Sequence, residues 1–306
     1  MAVVVTWNRR DLLAESLGAI TGQSTPPEAV VVVDNASDDG TAAMLRSEFP
    51  AADVVTARSN TGGAGGFALG LDRALSYGPD VLWLMDDDTV PEPTALEELV
   101  DAWVRYGRPA PAVVASRVVW SDGRDHPTNT PRAKPGMRSG ERAAAARVGC
   151  VPIRSASFVS ILVDAAGVRE RGLPVADYFL WNDDFEFTTR LIRGRRGLYC
   201  ARSVVVHKTK VFAGIDVDPG DRFFYEVRNK VWLFSRSRGL NPLEKVLYAG
   251  ATLRRWTGTI AHSSERGRLA RGLGRGLRTG LLTRPTPTEQ IMAAAVADQA
   301  SGGPDG

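Results

Sequence analysis

Three adjacent aspartates, Asp86-Asp87-Asp88, close the apolar run Val81–Met85. Carboxylates so crowded cannot all stay ionised without a nearby cation. Alternate residues of an extended segment point the same way, so Asp86 and Asp88 can address one hard divalent ion, Mg2+ or Mn2+, of the kind a diphosphate carries. A second acidic group, Asp183-Asp184, opens a helical pattern between Trp181 and Phe185. A helix N-terminus stabilises carboxylates there, and one of the pair suits a general base that takes a proton from an acceptor hydroxyl. The flanking aromatics could pack on a sugar. His207 follows Val204–Val206 and offers a neutral nitrogen ligand to the same oxygen-rich metal site. Gly62-Gly63-Ala64-Gly65-Gly66 would let backbone amides approach a phosphate or sugar closely. Each feature also has a structural reading: the triplet as a solvated turn before Pro91, the acidic pair as a capped helix start, the histidine as a core residue. Gly63, Gly65 and Ala68 match a dinucleotide fingerprint weakly, because its acid would be Asp86, which suits a cation better than a ribose hydroxyl. A lysine-bearing phosphate loop and a serine-hydrolase elbow are both absent from the sequence.

The elements that must position these groups alternate. Strands are expected at Ala2–Thr6, Ala29–Val33, Asp53–Ala57 and Val81–Met85, with helices from Asp11 (a candidate cap) to Gly22, from the 37–40 turn to Phe49, at Gly66–Tyr77, and from Pro91-Glu92-Pro93 to Tyr106. Such alternation predicts an α/β fold, a Rossmann-like parallel sheet covered by helices on both faces. Further strands are expected at Val113–Trp120, Ser157–Val163 and Tyr199–His207, and a helix from Asp183 to Arg193. Residues 121–147, rich in Gly, Pro, Arg and Ala, read as a mobile excursion. Ligands of open parallel sheets gather beyond the carboxyl ends of the strands. Thr6-Trp7-Asn8, Asp34-Asn35, Asn60 through Gly66, Asp86–Asp88 and His207 are therefore expected at one edge. After residues 212–220 only helices follow, Phe223–Arg236 and Leu243–Ile260 first. The expected division is a catalytic domain over 1–215, a basic helical region over 216–298 and a disordered tail over 299–306.

Composition sets the remaining bounds. The chain has 306 residues, 43% of them hydrophobic and 24% charged, enough apolar mass to fold. Its net charge of +3 is too balanced to argue for nucleic acid, and 33 of its 38 basic residues are arginine, so a single arginine means little. No apolar run reaches the ~18 residues of a membrane span, and Trp7-Asn8-Arg9-Arg10 interrupts the N-terminal segment where a signal peptide would continue. Two cysteines, Cys150 and Cys200, cannot form a disulfide framework, and a reducing cytoplasm is expected. Eight arginines but one acid lie between Arg254 and Arg284, which suggests a polyanionic neighbour. Leu269, Leu273, Leu277 and Leu281 recur every four residues, so residues 243–284 could meet an anionic membrane through that stripe and its arginines.

The ordered set of motifs resembles the family 2 glycosyltransferases of GT-A fold. It comprises Thr6-Trp7-Asn8, Val33-Asp34-Asn35-Ala36-Ser37-Asp38-Asp39-Gly40-Thr41, Asn60-Thr61-Gly62-Gly63, Asp86–Asp88, Asp183-Asp184 and His207, and spans about residues 2–236. Asn60 through Gly70 is similar to a loop of bacterial galactofuranosyltransferases of cell-wall galactan, and Arg222–Asn229 to a segment shared with rhamnosyltransferase-like relatives. The resemblance implies an inverting, divalent-metal-dependent transfer from a nucleotide-sugar, UDP-galactofuranose first, onto a lipid-linked glycan at the inner face of the cell membrane. Asp34 would bind the nucleobase, Asp86 would lie near the ribose or the metal, and Asp88 with His207 would hold the metal, Mn2+ or Mg2+. Thr6, Asn8, Asn60, Gly63, Asp87, Trp181 and Arg228 would complete the nucleotide-sugar site. Asp184 would be the base, with Asp183 the alternative. A dTDP-rhamnose donor remains open, as does a nucleotidyltransferase, although no lysine-containing glycine-rich signature follows the first strand.

Overall fold

The computed structural model describes residues 1–131, 133–210, 212 and 218–296; the tail expected over 299–306 lies outside them. The first half is β1 (Ala2–Thr6), α1 (Arg10–Thr21), β2 (Val30–Asp34), α2 (Thr41–Glu48), β3 (Asp53–Thr56), α3 (Gly62–Leu75) and β4 (Val81–Asp86). β5 (Thr89–Pro91), α4 (Ala95–Tyr106), β6 (Val113–Val119), α5 (Ser139–Arg147), β7 (Cys150–Ile153) and β8 (Ser160–Asp164) follow. Then come α6 (Ala165–Arg171), α7 (Asp183–Ile192), β9 (Gly197–His207), α8 (Phe223–Ser235), α9 (Pro242–His262), α10 (Arg266–Leu282) and α11 (Thr288–Val296).

The strands form one sheet in the order β3-β2-β1-β4-β8-β6-β9-β5, with β7 also paired to β9. β1 to β4 are parallel, as is the β6–β9 pair, but β8 runs antiparallel to both β4 and β6. The sheet is thus mostly parallel and is buried on both faces, which is why its strands read as unbroken valine runs. Val4 and Val32 pack with Leu13 and Leu17 of α1 and Leu99 of α4; Val3 and Val33 face Phe67 of α3 and Phe187 of α7.

Several expected elements shift. Asp11 sits in the first turn of α1 and Arg9 takes the N-cap position, without a side-chain cap. Pro91 ends β5 rather than starting a helix, which waits for Ala95. The stretch 121–147 is not an excursion throughout: it holds α5 and is pinned by bridges from Val119 to Asp125 and from Ala133 to Ile153. α3 starts at Gly62, four residues early, because its glycines fit under neighbours: side chains on Gly66 and Gly70 would strike Val5 and Val3 of β1. The glycine-rich run is therefore mostly helix packed on the sheet, not an open phosphate loop.

Among the described residues only helices follow the last strand, as expected. α9 starts with a capping box, Asn241 with Glu244, and Pro242 at its first position. α10 lies along α8, with Gly276 and Gly280 against Val227 and Val231. Leu269 is buried, and Leu273 and Leu277 pack with Phe223, Val227 and Trp256, which leaves Leu281 as the one residue of the four largely exposed. The leucine stripe is thus an internal seam, and the membrane contact expected through it is not available on that face. α11 returns to the sheet domain: Ala295 joins its core, and its carbonyl accepts a 2.9 Å hydrogen bond from the Arg58 N–H. Among the described residues no helix is long and apolar enough to cross a membrane.

Candidate active site

Parallel register brings the carboxyl ends of β1, β2 and β4 together, with Thr6 beside Asp34 and Val5 beside Asp86. The chain turns through Asp87 and Asp88 into β5, where Thr89 pairs with His207 of β9. The Lys208 N–H donates to the Asp88 carbonyl at 2.8 Å. This short antiparallel pairing places one ligand atom from each of Asp86, Asp88 and His207 within 4.8 Å of one another. His207 Nε2 lies 3.1 Å from Asp88 Oδ1. That buried oxygen nonetheless has no partner in hydrogen-bonding geometry. Two carboxylates and an imidazole around an orphaned oxygen fit a hard divalent cation of the Mg2+ or Mn2+ type.

Asp87 points elsewhere. Oδ2 accepts the Thr6 hydroxyl at 2.8 Å and the Trp7 N–H at 3.3 Å, and Oδ1 accepts Arg9 Nη1 at 3.0 Å. The same Arg9 nitrogen reaches Asp88 Oδ2 at 2.6 Å. Asp87 and Thr6, both expected to touch the nucleotide-sugar, are thus committed to each other. Burial, with Asp88 next, pushes Asp86 up to about 7. Burial also raises Asp87, against the pull of Arg9. Burial works against the Asp88 anion too, but His207 and Arg9 outweigh it and hold that carboxyl below its ordinary range. For His207 burial is outweighed by Asp88 and Asp86, which raise it.

The Asp183-Asp184 pair is presented differently. The backbone before it takes positive φ at Phe179 (63°), Trp181 (64°) and Asn182 (66°), costly for the two aromatic residues although asparagine tolerates it. What holds it is α8. Asn229, wholly buried, donates its side-chain amide to the carbonyls of Tyr178, Leu180 and Trp181, each at 2.9 Å. Arg228 donates to the Asp177 and Tyr178 carbonyls and stacks on Trp232, 4.3 Å from its ring centre. Asn182 Nδ2 donates to Glu226 at 2.7 Å, and Glu226 in turn accepts from Arg255 and Trp256 of α9. From below, Gly62 at φ +71° lies against Phe179, whose carbonyl a Cβ would strike.

Asp183 is buried, and burial with the neighbouring Asp184 raises it well above the carboxylate range; the Asp86 charge adds to this, so the two acidic groups sense each other. Burial lifts Asp184 only to about 6, because the Phe185 N–H, at 2.6 Å from Oδ1, and Lys230 stabilise its anion.

Other expected residues shape the rim. Asn8, at φ 52°, ties β1 to the turn after β2 by donating its N–H to Ser37 Oγ and accepting from the Asp38 N–H. Asp34 is buried and accepts the Ser37 N–H at 2.9 Å. Asn60 accepts the Gly62 N–H at 2.7 Å. Gly63 stays partly open, and a Cβ there would sit 3.9 Å from Asp183 Oδ2. Trp181 is 38% exposed beside the acidic pair. Arg228 lies beneath the 177–182 loop rather than at an open edge. Sequence reasoning missed Arg9, which was in view only as part of an interrupting polar run, and Asn229, quoted only within its segment.

The family model for glycosyl transferase family 2 matches residues 1–166. Galactofuranosyltransferase GlfT1 of Mycobacterium tuberculosis is 30% identical over 264 residues, 79% of this chain and 84% of that one. Its namesake in Mycolicibacterium smegmatis is 44% identical over 95 residues, 31% of this chain and 32% of that relative. Among solved structures, S. aureus TarS 1-349 in complex with UDP superposes with a TM-score of 0.63 at 16% identity, over 90% of this chain and 79% of that one. The mannosyltransferase PcManGT from Pyrobaculum calidifontis, in complex with GDP-Man and Mn2+, gives 0.53 at 19% identity, over 96% and 82%. These likenesses confirm a GT-A fold, and the matched family and relatives make the activity glycosyl transfer. The chain belongs to glycosyl transferase family 2.

Proposed function

We propose that the protein is an inverting galactofuranosyltransferase that uses UDP-galactofuranose, a divalent cation held by Asp86, Asp88 and His207, and Asp184 as base. The observation that carries this reading is the pair of separate acidic groups: one with an imidazole and an orphaned carboxylate oxygen, the other free of such a partner. The sugar rests on the 30% identity with galactofuranosyltransferases over most of both chains. A cation so bound supplies Lewis-acid neutralisation of the departing diphosphate. The acceptor hydroxyl attacks the anomeric carbon, the bond from that carbon to the diphosphate oxygen breaks, and the hydroxyl proton passes to Asp184. With a folded pKa of about 6, Asp184 is mostly ionised at neutral pH, whereas burial and the adjacent Asp184 disfavour the Asp183 anion more strongly. That contrast favours Asp184 over Asp183. Trp181 offers an exposed aromatic face to the sugar.

The acceptor we infer is a lipid-linked glycan of cell-wall synthesis, met at the inner face of the membrane. With Leu269, Leu273 and Leu277 of α10 packed inward, the supporting surface is the outer face of α9. There Leu243, Val246, Leu247 and Leu253 are 59–69% exposed in helical register, with Arg254 among them. Flotation with anionic liposomes tests this: Leu243, Val246 and Leu247 changed together to Ser should abolish binding, and undiminished flotation would refute it.

The decisive experiment incubates the chain with a panel of labelled nucleotide-sugars, with and without Mn2+. Transfer or slow hydrolysis of UDP-galactofuranose, lost in EDTA, is expected. Preference for dTDP-rhamnose would overturn the sugar, and full turnover in EDTA would overturn the cation.

A further inference from the structure

The side chain that faces the far nitrogen of His207 comes from the segment 121–147, where sequence alone promises no function. His207 Nδ1 lies 3.1 Å from Asn129 Oδ1, while Nε2 faces Asp88. We propose that Asn129 is a positioning residue for the cation site: its side-chain carbonyl keeps the His207 proton on Nδ1 and so leaves the Nε2 lone pair for a divalent cation shared with Asp86 and Asp88.

In the structure the Asn129 amide turns its oxygen toward His207 and its nitrogen toward Ser157. Nδ2 donates to Ser157 Oγ at 3.2 Å, and the Thr128 hydroxyl donates to Oδ1 at 3.3 Å. With the NH2 group on Ser157 the oxygen faces His207, and an oxygen there can only accept. The ring nitrogen opposite it must therefore be the N–H donor. A neutral imidazole carries one ring proton, so the proton on Nδ1 makes Nε2 the ligand atom. Without that acceptor the proton is free to sit on Nε2, where Asp88 Oδ1, 3.1 Å away, would attract it and close the coordination position.

The segment is fixed well enough for this task. The His126 N–H donates to the Val118 carbonyl at 2.8 Å, and the Thr130 hydroxyl donates back to the His126 carbonyl at 2.9 Å. The Trp120 indole N–H donates to the Thr209 carbonyl at 3.0 Å, tying the segment to the chain just beyond β9. The His126 ring packs 5.0 Å from that of His207, centre to centre, and limits its rotation. Partners of this kind, on the far nitrogen of a ligating histidine, commonly change metal affinity about 10–100-fold.

This inference rests on the cation-site reading, and its test separates the two. Mn2+ affinity of the full chain is measured by electron paramagnetic resonance for wild type, His207→Ala, Asn129→Leu and Asn129→Asp, with thermal melting as the fold control. Asn129→Leu removes the acceptor at similar volume and should weaken Mn2+ binding about 10–100-fold at unchanged melting temperature. Asn129→Asp keeps an acceptor and should recover most of that loss. Wild-type affinity in Asn129→Leu, or equal losses in both variants, would overturn the positioning role. An unchanged affinity in His207→Ala would instead overturn the cation site itself. Should Asn129→Leu fail to fold, Ser157→Ala frees the amide to rotate and should weaken binding in the same direction; no effect there counts against the proposal. Nitrogen-15 spectra offer a readout that a merely structural role would not move, since the chain has three histidines to assign. In the Mg2+-loaded wild type His207 should carry its proton on Nδ1, and a proton on Nε2 would overturn the inference.

Discussion

The two acidic groups of the cleft are held by different means. Asp86, Asp88 and His207 stand where backbone ladders put them: β4 beside β1, and β5 beside β9 with Thr89 opposite His207. Asp183 and Asp184 follow a loop with three non-glycine residues in the left-handed region, held by side chains of a helix more than forty residues later in the chain. A ladder repeats at every residue and is insensitive to any one side chain. A strained loop relaxes once its few supports are removed, because each such conformation costs about 1–3 kcal/mol. The cation site should therefore fail only when a ligand or its immediate partner is changed, and the base should fail also from a distance.

The largest effects test the two groups directly. Asp88→Ala removes a carboxylate from the cation site and should lower kcat/KM roughly a thousandfold, since several kcal/mol of charge stabilisation convert at ~1.4 kcal/mol per decade. Asp184→Asn should leave donor affinity near wild type and reduce transfer about 10²–10⁴-fold. Steady-state kinetics with isothermal titration of UDP separates the two patterns. If Asp183→Asn proves the dead variant and Asp184→Asn the active one, the roles within the pair are exchanged.

The same contrast explains what the sequence made legible. Uninterrupted valine runs, each closed by a polar residue, reveal buried parallel strands and the edge at which their ends gather, so the amino-acid pattern alone suffices to put Asp34, Asp86, Asp88 and His207 together. Long-range side-chain commitments leave no such trace. Nothing local to Asn229 says that its amide spans three carbonyls around residue 180, and nothing local to Thr6 says that its hydroxyl is taken by Asp87. Glycine runs mislead for a related reason. Gly62 through Gly70 satisfies a close approach, but the approaching groups are Phe179, Val5 and Val3 rather than a phosphate. The antiparallel β8 escaped because strand direction is absent from a hydrophobic pattern; the segment 121–147 escaped because its order comes from hydrogen bonds, not from apolar periodicity.

A mutation away from both acidic groups sharpens the comparison at intermediate size. Asn229→Ala takes the shared donor from three carbonyls, of which that of Tyr178 keeps Arg228, and should cost about 1–3 kcal/mol of stability. It should also let the 177–182 backbone relax, and a misplacement on the order of 1 Å lowers kcat by up to about a hundredfold. Mn2+ affinity should stay near wild type, because among the described residues the hydrogen bonds and ion pairs of Asp88 and His207 go to Arg9, Asn129, Lys208 and each other rather than to that loop. Chemical denaturation, kinetics and Mn2+ titration on one preparation decide the matter. Loss of Mn2+ affinity in parallel with kcat would show that the two groups are one mechanical unit.

The smallest effect concerns pH and stability. Asp86, Asp87, Asp183 and Asp184 all have folded pKa values raised by burial, Asp86 to about 7 and Asp184 to about 6. An unfolded aspartate ionises near ~3.9, so between that value and the folded one the unfolded chain holds fewer protons and stability falls as pH rises. His207 acts in the same direction: its raised pKa gives stability that is present at low pH and is lost as pH climbs through the folded value. Asp88 opposes this only in acid, below the ordinary carboxylate range. The metal-free protein should therefore melt several degrees lower at pH 7.5 than at pH 5.5. Mn2+ competes with protons for Asp86 and His207, so it should raise the melting temperature more at pH 7.5 than at pH 5.5, and in Asp88→Ala the gain should vanish at both. Only the cation-site part of the pH effect is reversed in this way; the part owed to Asp183 and Asp184 should persist in saturating Mn2+. A gain from Mn2+ that is equal at the two pH values would mean that the cation does not compete with those protons, and would place it away from Asp86 and His207.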